Sequence, residues 1–142
     1  MLAEVMEIVA GQLPERRAGV LAGFRRGKLR GRLYPGLVPD GAARVEGVLW
    51  EGLDATALAR IDRFEGALYE RQHGEVMLPA AERRAAHVYV LVPAQRSLLL
   101  ERDWDEAEFR TLYLCGYLAG CHAFARAWSG GGSASREQVE DE

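Results

Sequence analysis

Little in this chain lends itself to thiol, metal or membrane chemistry. Its 142 residues include two cysteines and three histidines. Cys115 and Cys121 stand six apart on one predicted helix. That spacing points their side chains about 240° apart. They are too few and too badly spaced for a zinc site or a disulfide framework, and both are expected to be reduced core thiols. His122 adjoins Cys121, but successive helical residues diverge, which sets aside a Cys–His nucleophile. His73 and His87 fall on predicted strands and can be neighbours across a hairpin. Two imidazoles without a third ligand are too few for a zinc centre, so no metal is expected.

Charge of one sign is also scarce. The net charge is −3, which gives no global attraction to nucleic acid or to anionic membranes. Lys28 is the sole lysine, and the other seventeen basic residues are arginine. No apolar run approaches membrane-spanning length. The first ten residues carry Glu4 and Glu7 and no basic residue, unlike a secretory leader. The expectation is a cytoplasmic bacterial protein.

What remains is an ordinary globular composition, 49% hydrophobic and 27% charged, with length for one domain. That domain is expected over 1–128, with 129–142 (SGGGSASREQVEDE) a disordered tail lacking any apolar pattern. Leu2, Val5, Met6 and Val9 predict a helix over 2–10. Over 17–33, Arg26, Lys28, Arg30 and Arg32 alternate with Gly27, Leu29, Gly31 and Leu33, the period of a strand with a basic outer face. Such a face keeps an edge soluble or meets an acidic partner; it lacks the interleaved aromatics of a base-stacking surface. YPGLVPDGAA (34–43) is rich in turn formers and should connect to a strand over 44–53. Strands follow at about 69–78 and 84–92, joined through PAAERR, then a long helix from about 103 to 128. Hairpins without regular β-α-β alternation make the fold class α+β.

Residues 54–66, DATALARIDRFEG, form a short helix with clear ends. Asp54 is an N-cap, Leu53 and Leu58 can staple the first turn, and Gly66 can supply the stop. Leu58, Ile61 and Glu65 share one face. Glu65 therefore stands on the apolar stripe at the helix C-terminus, where burial and the negative end of the helix both disfavour its charge. A carboxyl with raised proton affinity suits a general acid or base. The competing reading is a surface ion pair with Arg63 or Arg71.

The run RVEGVLWEGLDATALARIDRFEGALYER, 44–71, resembles the gamma-glutamylcyclotransferase family, including its plant avirulence-induced relatives. Val45-Glu46-Gly47, Ile61-Asp62-Arg63-Phe64-Glu65-Gly66 and Tyr69-Glu70-Arg71 match that family's order and spacing, and Tyr34-Pro35-Gly36 matches its Tyr-Pro turn. The resemblance covers most of residues 5–92. It implies a small mixed barrel-like sheet flanked by helices, with a long C-terminal helix, and no cofactor. It implies Glu65 as catalytic acid/base, with Tyr34, Gly36 and Tyr69 binding substrate. The reaction would be gamma-glutamyl cyclotransfer, releasing 5-oxoproline and an amine or amino acid from a small gamma-glutamyl substrate. No nucleic-acid or membrane partner is implied.

One family element is missing: the first strand with its Tyr-Gly-(Ser/Thr)-Leu loop, which offers N–H donors to substrate. Nothing in the 142 residues carries that motif. The expectation is that it precedes Met1; without it, the sheet would have a gap or an exposed edge that invites a homo-oligomer. The alternative is a catalytically inactive binding or regulatory protein of the same fold.

Overall fold

In the computed structural model, residues 1–129 are described. The element order is α1 (Ala3–Ala10), β1 (Glu15–Lys28), β2 (Pro35–Glu51), α2 (Ala55–Glu65), β3 (Tyr69–Met77), β4 (Arg83–Leu91), α3 (Glu106–Leu112) and α4 (Leu114–Ser129). The fold is α+β. Ser129, the first residue of the expected tail, closes α4; the rest of the tail lies outside the described residues. The chain divides into two compact units. One joins Met1–Glu15, Glu51–Ala67 and the chain from Ala107; the other joins Arg16–Trp50 and Leu68–Glu106.

The first unit is helical. Val5, Met6, Val9 and Ala10 are the buried face of α1, close to the 3.6-residue stripe expected, and Gly11 ends it with φ 81°. Arg60 of α2 donates its Nε–H to the Val9 carbonyl at 2.7 Å, satisfying one of the acceptors that a helix end leaves open. Aromatic rings form the core. Phe64 meets Phe124 edge-on at 5.3 Å and Tyr117 at 6.3 Å, and Phe109 meets Tyr117 at 5.3 Å. Arg60 and Arg63 both lie over the Trp128 ring, at 5.5 and 5.7 Å, contacts worth up to about 1 kcal/mol each when exposed.

The second unit is a sheet of order β2-β1-β3-β4. The β1/β3 and β3/β4 pairs are antiparallel. The β3–β4 hairpin runs from Tyr69 opposite Leu91 to Met77 opposite Arg83. Its turn places Ala80 and Ala81 at φ 64° and 60°, closed by the Leu78 N–H on the Glu82 carbonyl at 2.7 Å. Leu29, Val90 and Leu91 are fully enclosed in this unit.

Four local expectations change. All but Tyr34 of the turn-rich 34–43 segment belongs to the 17-residue β2. Its prolines are tolerated because Pro35 opens the strand and β2 ends the sheet, where an absent N–H need not break a ladder. The strand expected to reach residue 33 ends at Lys28; Leu29 bridges to Leu99 and Gly31 turns the chain with φ 72°. The long C-terminal helix is broken at Tyr113 into α3 and α4. Cys121 is buried as expected, but Cys115 is exposed; six residues apart on α4, the two point in different directions.

Candidate functional site

The α2 segment is built as its residues dictate. The Asp54 carboxylate accepts the Ala57 N–H at 2.8 Å, the N-cap bond that satisfies an otherwise open donor. Ala57, Ile61 and Phe64 are buried, and that inward stripe carries Glu65 with it. Gly66 then stops the helix at φ 73°, ψ −164°, a backbone region open essentially to glycine alone. Its N–H donates to the Asp62 carbonyl. The stop is therefore glycine-dependent, though not the left-handed cap that the sequence suggests.

Glu65 is half-buried as a residue, but its carboxyl stands among enough protein to be held well above the ordinary carboxylate range, at about 7. Burial is the main cause; the Asp62 carboxylate, three residues earlier, pushes further in the same direction, and the positive amino group of Met1 opposes both. Neither Arg63 nor Arg71 is among the charges that set this affinity. Arg63 is instead turned onto Trp128. A carboxyl balanced near neutrality can take up a proton and return it within one reaction cycle.

Tyr34, Gly36 and Tyr69 are brought together in the sheet unit. The Tyr69 hydroxyl donates to the Pro35 carbonyl at 2.6 Å, and the Tyr34 and Tyr69 rings lie 6.4 Å apart at 54°. Gly36 is buried, and a Cβ there would come within 2.8 Å of Leu29 and 2.9 Å of Leu91. Its lack of a side chain is what lets β2 pass over these two core leucines. Glu65 belongs to the helical unit; the short 3-10 turn Gly66–Leu68 carries the chain from it to Tyr69.

The alternating basic face is engaged at Arg26. Arg26 grips Asp103 with two bonds, Nε to Oδ1 at 2.8 Å and Nη2 to Oδ2 at 3.0 Å, and lies 5.9 Å over Trp104. Sequence reading missed this clamp, since its partners are 77 residues apart; the acidic-aromatic pair Asp103-Trp104 was the available signal. Among the described residues no group of three or more His, Cys, Asp or Glu is disposed to hold a metal ion. No described helix is long and apolar enough to cross a membrane.

Residues 1–106 match the family described as gamma-glutamyl cyclotransferase, AIG2-like. The chain belongs to that family. AIG2-like protein C of Arabidopsis thaliana is 34% identical over 108 residues, which cover 75% of this chain and 62% of that protein. AIG2-like protein D of the same plant is 27% identical over 126 residues, covering 88% of this chain and 83% of the relative. This chain thus spans somewhat less than two thirds of AIG2-like protein C. A solution structure of an Arabidopsis thaliana protein, 28% identical, superposes with a TM-score of 0.64 over 83% of this chain and 79% of its own. A second, 22% identical with a TM-score of 0.62 over 98% and 84%, shares the fold. The α+β fold and the family resemblance drawn from residues 44–71 therefore stand together.

Proposed function

We propose that this chain is a gamma-glutamyl cyclotransferase in which Glu65 moves the proton. The observation that carries the reading is a carboxyl held near pKa 7 by burial at a glycine-stopped helix end, in a member of this family. The substrate is a small molecule bearing a free α-amine on a gamma-glutamyl group, and the expected setting is the cytoplasm. The α-nitrogen attacks the γ-carbonyl carbon, forming the ring C–N bond. The bond from that carbon to the departing nitrogen breaks. Glu65 takes the proton released by the attacking amine and delivers it to the departing nitrogen, so the products are 5-oxoproline and an amine or amino acid. No oxidant, metal or cofactor enters the balance.

Folding the substrate so that its two ends meet supplies the proximity. We assign substrate contact to Tyr34, Gly36 and Tyr69. The pairing of Tyr69 with the Pro35 carbonyl supports a preformed β2 entry. Donors for the developing oxyanion belong, in the family, to the Tyr-Gly-(Ser/Thr)-Leu loop. The alternative reading is a family-fold protein that binds without turnover.

Release of 5-oxoproline from gamma-glutamyl amino acids and gamma-glutamylamines separates the two. The comparison uses the wild type, Glu65→Gln and Glu70→Gln, whose side chain is on the exposed position of β3. Turnover lost in Glu65→Gln and retained in Glu70→Gln supports the cyclotransferase. No release by any of the three, with folding intact, favours the binding protein.

A further inference from the structure

The face of the β3–β4 hairpin carries a second pair of groups that cyclotransfer leaves unused. His73 and His87 are direct cross-strand partners, both exposed, with ring centroids 4.9 Å apart and planes inclined at 40°. We propose that they form a two-imidazole chelate for a borderline divalent transition-metal ion such as Ni²⁺, Zn²⁺ or Cu²⁺.

The separation carries the argument. A metal–imidazole bond is about 2.0–2.1 Å and the donor nitrogen lies about 1.1 Å from its ring centre, so each centroid stands about 3.15 Å from a shared ion. With a nitrogen of each ring turned toward a shared ion, two centroids 4.9 Å apart would subtend about 100° at the metal, between the ~90° of a square-planar or octahedral site and the ~109° of a tetrahedral one. No strand movement is needed, because the ladder on both sides of the pair already fixes the spacing: Arg71 opposes Tyr89 and Glu75 opposes Ala85. These are the same-face neighbours at two residues' distance. Glu75, itself paired with Arg83 at 3.4 Å, and the cation of Arg71 flank the pair. The remaining coordination positions face solvent and would hold water. Such a site is distinct from a resident zinc centre, which needs three or four protein ligands. Imidazole nitrogen selects these ions over Mg²⁺ and Ca²⁺, which prefer oxygen. Because β4 ends the sheet, a bound ion would pin the outermost strand to its neighbour.

Calorimetric titration of the intact protein with Ni²⁺ tests this, with the paramagnetic loss of backbone amide NMR signals as the locator. One Ni²⁺ per chain is expected, erasing signals around residues 72–74 and 86–88. His73→Gln and His87→Gln should each weaken binding by about tenfold or more, since the second imidazole acts at high effective concentration. The double variant, which keeps neither imidazole, should lose the site and bind more weakly than either single variant, and His122→Gln should bind like wild type. Melting curves verify that the exposed substitutions leave the fold intact. Wild-type affinity in either hairpin variant overturns the proposal. So does signal loss centred elsewhere, or the absence of saturable binding below about 1 mM, weaker than two chelating imidazoles should give.

Discussion

Two carboxylates in this molecule have moved in opposite directions from the same chemistry. Asp103, in the sheet unit, is gripped by Arg26 through two bonds and accepts the Trp104 backbone N–H at 2.7 Å. The Arg26 hydrogen bond holds its proton affinity below the ordinary value. Glu65, in the helical unit, is raised to about 7 by burial, with the Met1 amino group the one opposing charge that sets it. A cation supplied in bidentate geometry at the surface keeps an acid ionised to lower pH. Burial without such a clamp leaves an acid that can change protonation state near neutral pH. The first arrangement holds a fold together, and the second can do proton transfer.

The largest test of that contrast is turnover. In a protein that releases 5-oxoproline, Glu65→Gln should lower the rate by roughly 10²–10⁴-fold, since the amide keeps the shape but cannot accept the proton. Undiminished release by the folded variant would end the catalytic assignment.

Stability against pH gives the next largest effect. The folded Glu65 affinity lies above its ordinary value of 4.5, so between about pH 4.5 and 7 the native state binds the extra proton. Stability from this group is therefore present below about pH 4.5 and declines as pH rises through 7, by about 3 kcal/mol in all. Urea titrations across pH 4–8 should show this decline in the wild type and its loss in Glu65→Gln, which should be the more stable protein at pH 8. A parallel pH dependence in both would mean that another group is responsible.

Gly66→Ala tests the backbone that presents Glu65. Its φ and ψ should cost an alanine about 1–3 kcal/mol, read as a lower melting temperature. An unchanged melt would show that the stop relaxes freely.

Asp103→Asn should cost least, about 0.5–1 kcal/mol, with the loss diminished by salt. Because the Asp103 affinity is lowered, the wild-type advantage holds above its unfolded pKa of about 3.9 and vanishes as pH falls through the folded value. An Asn variant as stable as wild type at neutral pH and low salt would reduce the clamp to a surface ornament.

Much of this was legible beforehand, for local reasons. The α1 face, the Asp54 cap and the Gly66 stop depend on residues within a turn or two of each other; the α2 stripe was read slightly off centre, since its buried residues are Ala57, Ile61 and Phe64 while Leu58 and Glu65 are half-buried. The histidines met across the hairpin because strand lengths and a short turn leave few registers. The strand through 34–43 was not legible. Pro35, Pro39 and Gly41 are local turn formers, and their incorporation into β2 depends on a place at the end of the sheet. Nor could the Tyr113 break be read, since the apolar pattern runs through it.

The sequence by itself determined the family, the α+β class and the acid placed on an apolar stripe, because motif order, periodicity and capping are properties of neighbours along the chain. Tertiary structure alone decided which acid is clamped and which is left to titrate, that Tyr69 reaches Pro35, and that Gly36 must lack a side chain. Each of these turns on contacts or burial contributed by segments far apart in sequence, and the free energy of a charge depends on what surrounds it in space.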